Sequence, residues 1–334
     1  MENKEYLLEV KDLKTSFFSP RGEVKAVNGV SYYVKKHEVV AVVGESGCGK
    51  SVTQMSVMQL VQSPPGKILS GEVLLEGENI LKYPANSKKM RELRGSAISM
   101  IFQEPMSSLN PVLTVGSQLT EVIRTHKKVS KKEAWTLGVE ALEAVGIPDP
   151  ERRMSSYPFE MSGGMRQRVM IAIAVACRSK LIIADEPTTA LDVTTQAQVM
   201  ELLMSLVEKM DTSIIIVTHN LGLVSRYADR IYVMYAGRIV ESGTTEDILT
   251  NPQHPYTKGL LKSVPRLDKV KDADLIPIKG TPPNLAKLPE YCSFMPRCPE
   301  AKECCAKLKH PSLHEAGKNN HMCACHLVKG GNDV

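Results

Sequence analysis

The sequence predicts an α/β fold built around a parallel β-sheet. Three observations carry this. The apolar runs VVAVV at 39–43 and IIIV at 214–217 are continuous rather than alternating, as in strands covered on both faces. Such strands alternate with helical stretches: LIIAD is followed by TTQAQVMELLMSLVEKM, then by SIIIVTH. The first run also leads directly into a glycine-rich turn, GESGCGKS, ahead of another helical stretch.

Taken in order, residues 1–35 carry alternating patterns, LLEV and AVNGVSYYV, on either side of a turn at Arg21-Gly22, and predict an N-terminal antiparallel β-subdomain. Residues 38–60 read strand, glycine turn, helix. Residues 86–165 are rich in Lys, Glu and Ala, with helical spacing in EAWTLGVEALEAV, and predict a helical subdomain. From 162 the order is helix, strand, helix, strand, then the short strands IYVMYAG and RIVESG. Proline then breaks the pattern in NPQHPYTKGLLKSVPR, beginning at 251. A chain of 334 residues exceeds one ordinary core. The expected division is therefore a large domain over 1–255 and a small, irregular, Cys-rich C-terminal domain over 256–334.

Charge and hydropathy narrow the partners. The net charge of +5 is spread along the chain, which does not predict a nucleic-acid footprint. No apolar run approaches the roughly 18 residues that would span a bilayer. The start, MENKEYLLEVKDLK, places charges where a signal peptide needs apolar residues. The expectation is a protein on the cytoplasmic side, with any membrane spanning left to partner chains.

Residues 44–51 fit G-x-x-x-x-G-K-[ST] between a strand and a helix. Glycines let a loop wrap until its backbone N–H groups face phosphate oxygens, and the helix N-terminus adds positive potential. Gly44, Ser46, Gly47, Cys48, Gly49, Lys50, Ser51 and Val52 are thus candidate ATP-binding residues. Lys50 is placed to reach the β- and γ-phosphates and Ser51 to ligate Mg²⁺. At 181–186, LIIADE sets two carboxylates at the C-terminal end of a buried strand, where ligands of open α/β sheets sit. Asp185 is the candidate Mg²⁺ ligand, and Glu186 the candidate general base for the attacking water.

At this point a family resemblance enters. Ser162-Gly163-Gly164-Met165-Arg166-Gln167 resembles the signature motif of ABC ATPases, and it stands upstream of Asp185-Glu186 as in that family. Gln103 in IFQEP resembles the Q-loop, Ala190-Leu191-Asp192 the D-loop, and His219 the switch histidine. Phe17 resembles the aromatic that stacks on adenine, with Phe18 as its neighbouring alternative. The resemblance spans about 5–265 and implies a P-loop ABC ATPase with a RecA-like core. It further implies that Ser162, Gly163 and Gly164 complete the ATP site of a second subunit, that Gln103 senses Mg²⁺, and that His219 contacts the γ-phosphate.

Finer wording resembles the peptide and nickel importer branch: GESG at 44–47, FQEPMSSLNP at 102–111, ADEPTTALDVTTQAQV at 184–199 and NPQHPYTKGLL at 251–261. Cys48 stands where Ser is common, Met165 where many members have Gln, and Asn220 where Asp is usual. The resemblance implies an ATPase that energises import of dipeptides or oligopeptides, with nickel as an alternative substrate. Its implied partners are a second ATPase subunit (non-identical, or a second copy), two polytopic permease subunits and an extracytoplasmic substrate-binding protein. The rival reading is a soluble ABC ATPase acting on ribosomes or DNA. That class usually carries two cassettes or a coiled-coil insertion, neither of which is present here.

Six of eight cysteines fall in the last 43 residues: Cys292, Cys298, Cys304, Cys305, Cys323 and Cys325. In a reducing compartment such a cluster reads as a metal site. The spacing is wider than zinc knuckles use, while four thiolates on irregular loops suit a [4Fe–4S] cluster. The family resemblance implies Cys292, Cys298, Cys305 and Cys325 as ligands. Cys304 and Cys323 remain alternatives, and zinc the alternative metal.

Overall fold

A computed structural model describes residues 5–189, 192–263 and 277–328. They fall into two compact units, one combining the chain up to Leu81 with the chain from Val217 onward, the other spanning Lys82–Ile216.

The first unit begins with a long hairpin of β1 (Tyr6–Ser19) and β2 (Gly22–Lys35). Next come β3 (Val39–Val43), helix α1 (Lys50–Val57), β4 (Gly66–Leu75) and the short β5 (Glu78–Asn79). These supply an antiparallel sheet in the order β2-β1-β4-β5, which is the expected N-terminal β-subdomain. Helix α1 turns a polar face inward, with Thr53, Gln54 and Ser56 buried. Each finds a partner. Thr53 Oγ1 donates to Gly49 O (2.9 Å), Tyr32 Oη donates to Gln54 Oε1 (2.9 Å), and Ser56 shares a 2.8 Å hydrogen bond with Thr15. Such bonds each contribute about 1 kcal/mol net, and an unmade one would cost more.

The second unit opens with α2 (Lys88–Ser96), broken at Arg94 and Gly95, and β6 (Ile98–Ile101). A helical stretch follows: α3 (Pro105–Ser108), α4 (Val115–His126), α5 (Lys131–Ala144), α6 (Pro150–Arg153) and α7 (Gly163–Val175). Ser130 caps α5 in a reciprocal capping box with Glu133. The unit closes on β7 (Leu181–Asp185), α8 (Val193–Met210) and β8 (Ser213–Thr218), whose last residues pass into the first unit. Strands β6 and β7 are parallel and wholly buried; β7 is apolar up to Asp185, while Ser99 within β6 shares a 2.7 Å hydrogen bond with Ser179.

Back in the first unit come α9 (Leu221–Val224), β9 (Arg230–Tyr235), β10 (Arg238–Thr244), α10 (Thr245–Thr250) and α11 (Pro255–Lys262). Beyond 277 lie α12 (Glu303–Lys307), β11 (His314–Glu315) and β12 (Met322–Cys323). Here the sheet runs β11-β12-β10-β9-β3, parallel at β3–β9 and antiparallel outward from β9. The sheet is therefore mixed, with the expected parallel core and an antiparallel edge. Within the stretch expected as a small, irregular, Cys-rich C-terminal domain, β12 pairs directly with β10, Cys323 opposite Glu241. Glu241 is fully buried, and three donors satisfy it: Gln253 N (2.6 Å), His254 N (3.0 Å) and, as an ion pair when protonated, His321 Nε2 (2.8 Å).

Candidate active site

In the first unit the glycine loop connects β3 to α1. Gly49 caps the helix at φ 105°, and a Cβ there would stand 2.2 Å from Ala26 O. Gly47 also lies at positive φ, 77°. Gly44 admits no side chain either, because a Cβ would meet Met234 O at 2.2 Å. Lys50 is the first residue of α1 and is buried, its Nζ donating to Gly44 O (2.8 Å) and Glu45 O (3.0 Å). Ser46 and Gly47 are exposed, while Ser51 and Val52 are half-buried. Cys48 turns inward and is buried, which pushes its thiol pKa up. That agrees with a loop that works through its backbone.

Phe17 lies on β1, paired with Gly66 of β4, its ring packed over that glycine and half-buried. Phe18 beside it is 47% exposed. His219 follows the end of β8 and is exposed. Asn220, which stands where Asp is usual in the family, caps α9: its side-chain oxygen accepts from Leu223 N at 3.1 Å.

In the second unit, β7 delivers Asp185, buried, and then Glu186. Glu186 sits at φ 45°, a left-handed conformation that costs a non-glycine residue about 1–3 kcal/mol. Its Oε2 accepts from Gln103 Nε2 (3.0 Å) and from Thr189 Oγ1 (2.8 Å). The turn after Glu186 is also tied down. Gln167 of α7, itself buried, donates to Pro187 O (2.6 Å), and Gln196 of α8 donates to Thr188 O (3.2 Å). Helix α7 is the signature helix. Ser162 caps it, accepting from Met165 N at 3.3 Å. Ser162 and Gly163 are exposed, and a Cβ on Gly163 would meet nothing within 4 Å. Asp192 caps α8, accepting from Thr195 N (3.0 Å) and Thr195 Oγ1 (2.6 Å). The rest of the expected D-loop, Ala190 and Leu191, lies outside the described residues.

The structure thus brings Gln103 and Glu186 together, and gathers 44–52 into one loop and the first turn of α1. Sequence reasoning missed Thr189 and Gln167, which hold Glu186 and the turn after it. Both stand inside recognisable motifs, but nothing local marks them as supports.

The cysteines form the other group. Cys305, Cys323 and Cys325 are buried, and Cys292, Cys298 and Cys304 are intermediate. Burial pushes the Cys325 thiol up to about 11, and Cys292, Cys298 and Cys305 each add to that rise. Burial raises Cys298 too, with Cys292 and Cys305 contributing, and it raises Cys292 with Cys305 contributing. The four expected ligands are therefore electrostatic neighbours. Cys323 sits on β12, where burial and then Glu241 hold its proton on. Among the described residues no three His, Cys, Asp or Glu side chains form a group able to hold a metal ion.

Comparison with known proteins places the chain. A family model described as ABC transporter matches residues 27–189, and one described as oligopeptide/dipeptide transporter, C-terminal region, matches 240–305. The oligopeptide transport ATP-binding protein AppD of Bacillus subtilis is 52% identical over 93% of this chain and 94% of its own length. The chain belongs to the ABC transporter family, in its oligopeptide/dipeptide branch. Another member, the dipeptide transport ATP-binding protein DppD of Haemophilus influenzae, is 47% identical over 98% of each chain. Among solved structures, the dimeric post-hydrolysis state of the ATP-binding cassette MJ0796 bound to ADP and Pi aligns with a TM-score of 0.63. It is 25% identical and covers 71% of this chain and 98% of that one. Family membership accounts for the loop at 44–51 and the signature helix, and it makes ATP hydrolysis the activity of the cassette.

Proposed function

We propose that this chain is the ATP-binding and ATP-hydrolysing subunit that energises import of dipeptides or oligopeptides through a membrane ABC transporter. The observation that carries the reading is Glu186, held at positive φ with its carboxylate fixed by Gln103 and Thr189. Strain is retained where the surroundings enforce it, and such residues cluster at active sites.

In the proposed reaction the N–H groups of 46–52 and Lys50 bind the phosphates, and Phe17 stacks on adenine. Ser51, Gln103 and Asp185 would hold Mg²⁺. A hydroxyl and a carboxylate suit an ion that keeps most of its coordination for water and phosphate oxygens. When bound, Mg²⁺ neutralises phosphate charge. Glu186 accepts a proton as water attacks the γ-phosphorus and the bond to the ADP oxygen breaks. His219 steadies the γ-phosphate oxygens. Ser162, Gly163 and Gly164 serve the ATP held by a second ATPase subunit, non-identical or a second copy. The dimeric state named for MJ0796 supports a pairing of two such subunits.

The functional division proposed is 1–255 for the nucleotide-binding domain, with a helical subdomain over 86–165, and 256–334 for the peptide-transporter extension. Among the described residues no helix is long and apolar enough to cross a membrane. Two polytopic permease subunits are therefore proposed to span it, with this chain peripheral on the cytoplasmic face and a substrate-binding protein on the other side. An exposed apolar group on the second unit suits such a partner: Val112, 76% exposed, with Leu113, and Tyr157 stacked on Phe159. The Val115 N–H bond to Ser156 O draws these two loops together.

Cys292, Cys298, Cys305 and Cys325 are the proposed ligands of a [4Fe–4S] cluster. The support is proximity alone: Cys292, Cys298 and Cys305 lie close enough to act electrostatically on Cys325, and four thiolates on irregular loops suit a four-iron cube. The cluster's proposed role is to clamp the loops from 292 to 325.

Two measurements test this. Glu186→Gln should cut ATP hydrolysis by about 10²-fold or more while ATP binding persists; a variant at full rate removes Glu186 as base. Protein purified without oxygen should contain four irons per chain and absorb near 400 nm, by general cluster chemistry. Stoichiometric zinc without iron ends the cluster reading.

A further inference from the structure

Glu45, the second residue of the glycine loop, is held from the C-terminal extension. Arg297 Nη1 donates to Glu45 Oε2 at 2.6 Å and Nη2 to Glu45 Oε1 at 2.9 Å, a two-pronged pair between residues 252 apart in sequence. The other donors of Arg297 are also used. Nε reaches Lys279 O (3.0 Å), Nη2 reaches Ile278 O (3.4 Å) and Nη1 reaches the Tyr235 hydroxyl (3.4 Å). All five N–H groups of the guanidinium thus have acceptors. Its side chain is 5% exposed. Tyr256 of α11, fully buried, holds the same residue by its backbone: the Glu45 N–H donates to the Tyr256 hydroxyl at 2.9 Å. Tyr256 is fixed in turn by an aromatic group, with ring centroids 4.6 Å from Tyr235 and 5.4 Å from Phe294. Finally, Glu45 O accepts from Lys50 Nζ at 3.0 Å.

We infer that Arg297 and Tyr256 are positioning residues for the phosphate-binding loop, so that the C-terminal extension is a working part of the nucleotide site. Two physical effects converge. A loop that binds phosphate through its N–H groups must be held in one shape, and the two residues fix both the backbone and the side chain of Glu45. A carboxylate beside a polyanion site is also repulsive, and Arg297 neutralises it. Lys50, which rests on the Glu45 carbonyl, inherits the position this clamp sets.

The inference rests on reading 44–51 as the phosphate loop, and Lys50→Ala tests that reading separately: a variant that still binds nucleotide normally overturns the loop assignment. The clamp is tested in the full-length chain assembled with its transporter partners, by steady-state ATPase kinetics and by titration with a fluorescent ATP analogue. Arg297→Met should raise KM and the analogue's Kd by about tenfold, with a much smaller change in kcat. Arg297→Lys, which keeps charge but not the fork, should fall between. The double variant Glu45→Gln/Arg297→Met should recover part of the affinity, because the repulsive carboxylate is gone while the fork that shaped the loop stays lost. A merely structural role for Arg297 predicts no such recovery. Unchanged KM in Arg297→Met, or a double variant no better than the single, overturns the inference. Should Arg297→Met fail to fold, Tyr256→Phe decides, since it removes one hydroxyl: a KM rise of about threefold is expected, from a single hydrogen bond. An unchanged KM there overturns the inference as well.

Discussion

At the scale of single residues, Glu186 shows how much of the chemistry depends on supports. Its left-handed backbone was not legible, because Asp-Glu after a strand gives no sign of φ. Its proposed role could be read from the sequence, because a carboxylate at the C-terminal end of the strand LIIAD stands where ligands of open α/β sheets sit. Thr189 donates to the same oxygen that Gln103 holds. Thr189→Val, nearly isosteric, should lower kcat about tenfold with KM little changed, as expected for a lost orienting bond to the base. Steady-state kinetics on the folded variant decide this. At Gly49, φ 105° and the 2.2 Å approach to Ala26 O predict that Gly49→Ala abolishes nucleotide binding, read by the same fluorescent titration.

At the scale of elements, α11 carries a pH dependence. His254 caps it, Nδ1 accepting the Tyr256 N–H at 3.1 Å, which requires the neutral ring. Burial lowers the His254 pKa from 6.5 to about 4. Nearby Glu241 opposes the shift, while His310 and Lys258 reinforce it. His310 is likewise lowered to about 4 by burial. Between these values and 6.5 the unfolded chain binds more protons, so stability falls as pH drops from about 6.5 to 4 and is flat above that window. For His254 alone the loss is of order 3 kcal/mol. Thermal melts at pH 7.5 and 5 should show a lower Tm at pH 5, and His254→Asn, which keeps a cap without a titrating ring, should narrow the gap. Elements also separate what a sequence shows from what it hides. Strands β3, β7 and β8 announce themselves as continuous apolar runs. Strand β12 is two residues long, too short for any periodicity, and only its pairing with β10 and β11 makes it a strand.

At the scale of the whole molecule, the appended tail proved to be woven into the first unit. A break in composition at the proline-rich stretch is a local signal, and it marks where the regular helix–strand pattern ends. It says nothing about where the later residues dock. The contacts that answer this, Arg297 to Glu45 and His321 to Glu241, join positions 252 and 80 apart and involve residues with no pattern of their own. Removing the chain from 277 onward should therefore expose the flank of β10, leave buried Glu241 without His321, and yield aggregates in sedimentation where the full chain is dispersed.

The pairing of β12 with β10 also orders events in time. A ribosome delivers Gly44–Ser51 early and Met322–Cys323 late, with about 270 residues of synthesis between them. Until that late strand arrives the flank of β10 is open, and until position 297 is made the loop at 44–51 lacks Arg297. On the inferred clamp, a nascent chain that ends before 297 should bind nucleotide more weakly than the finished one.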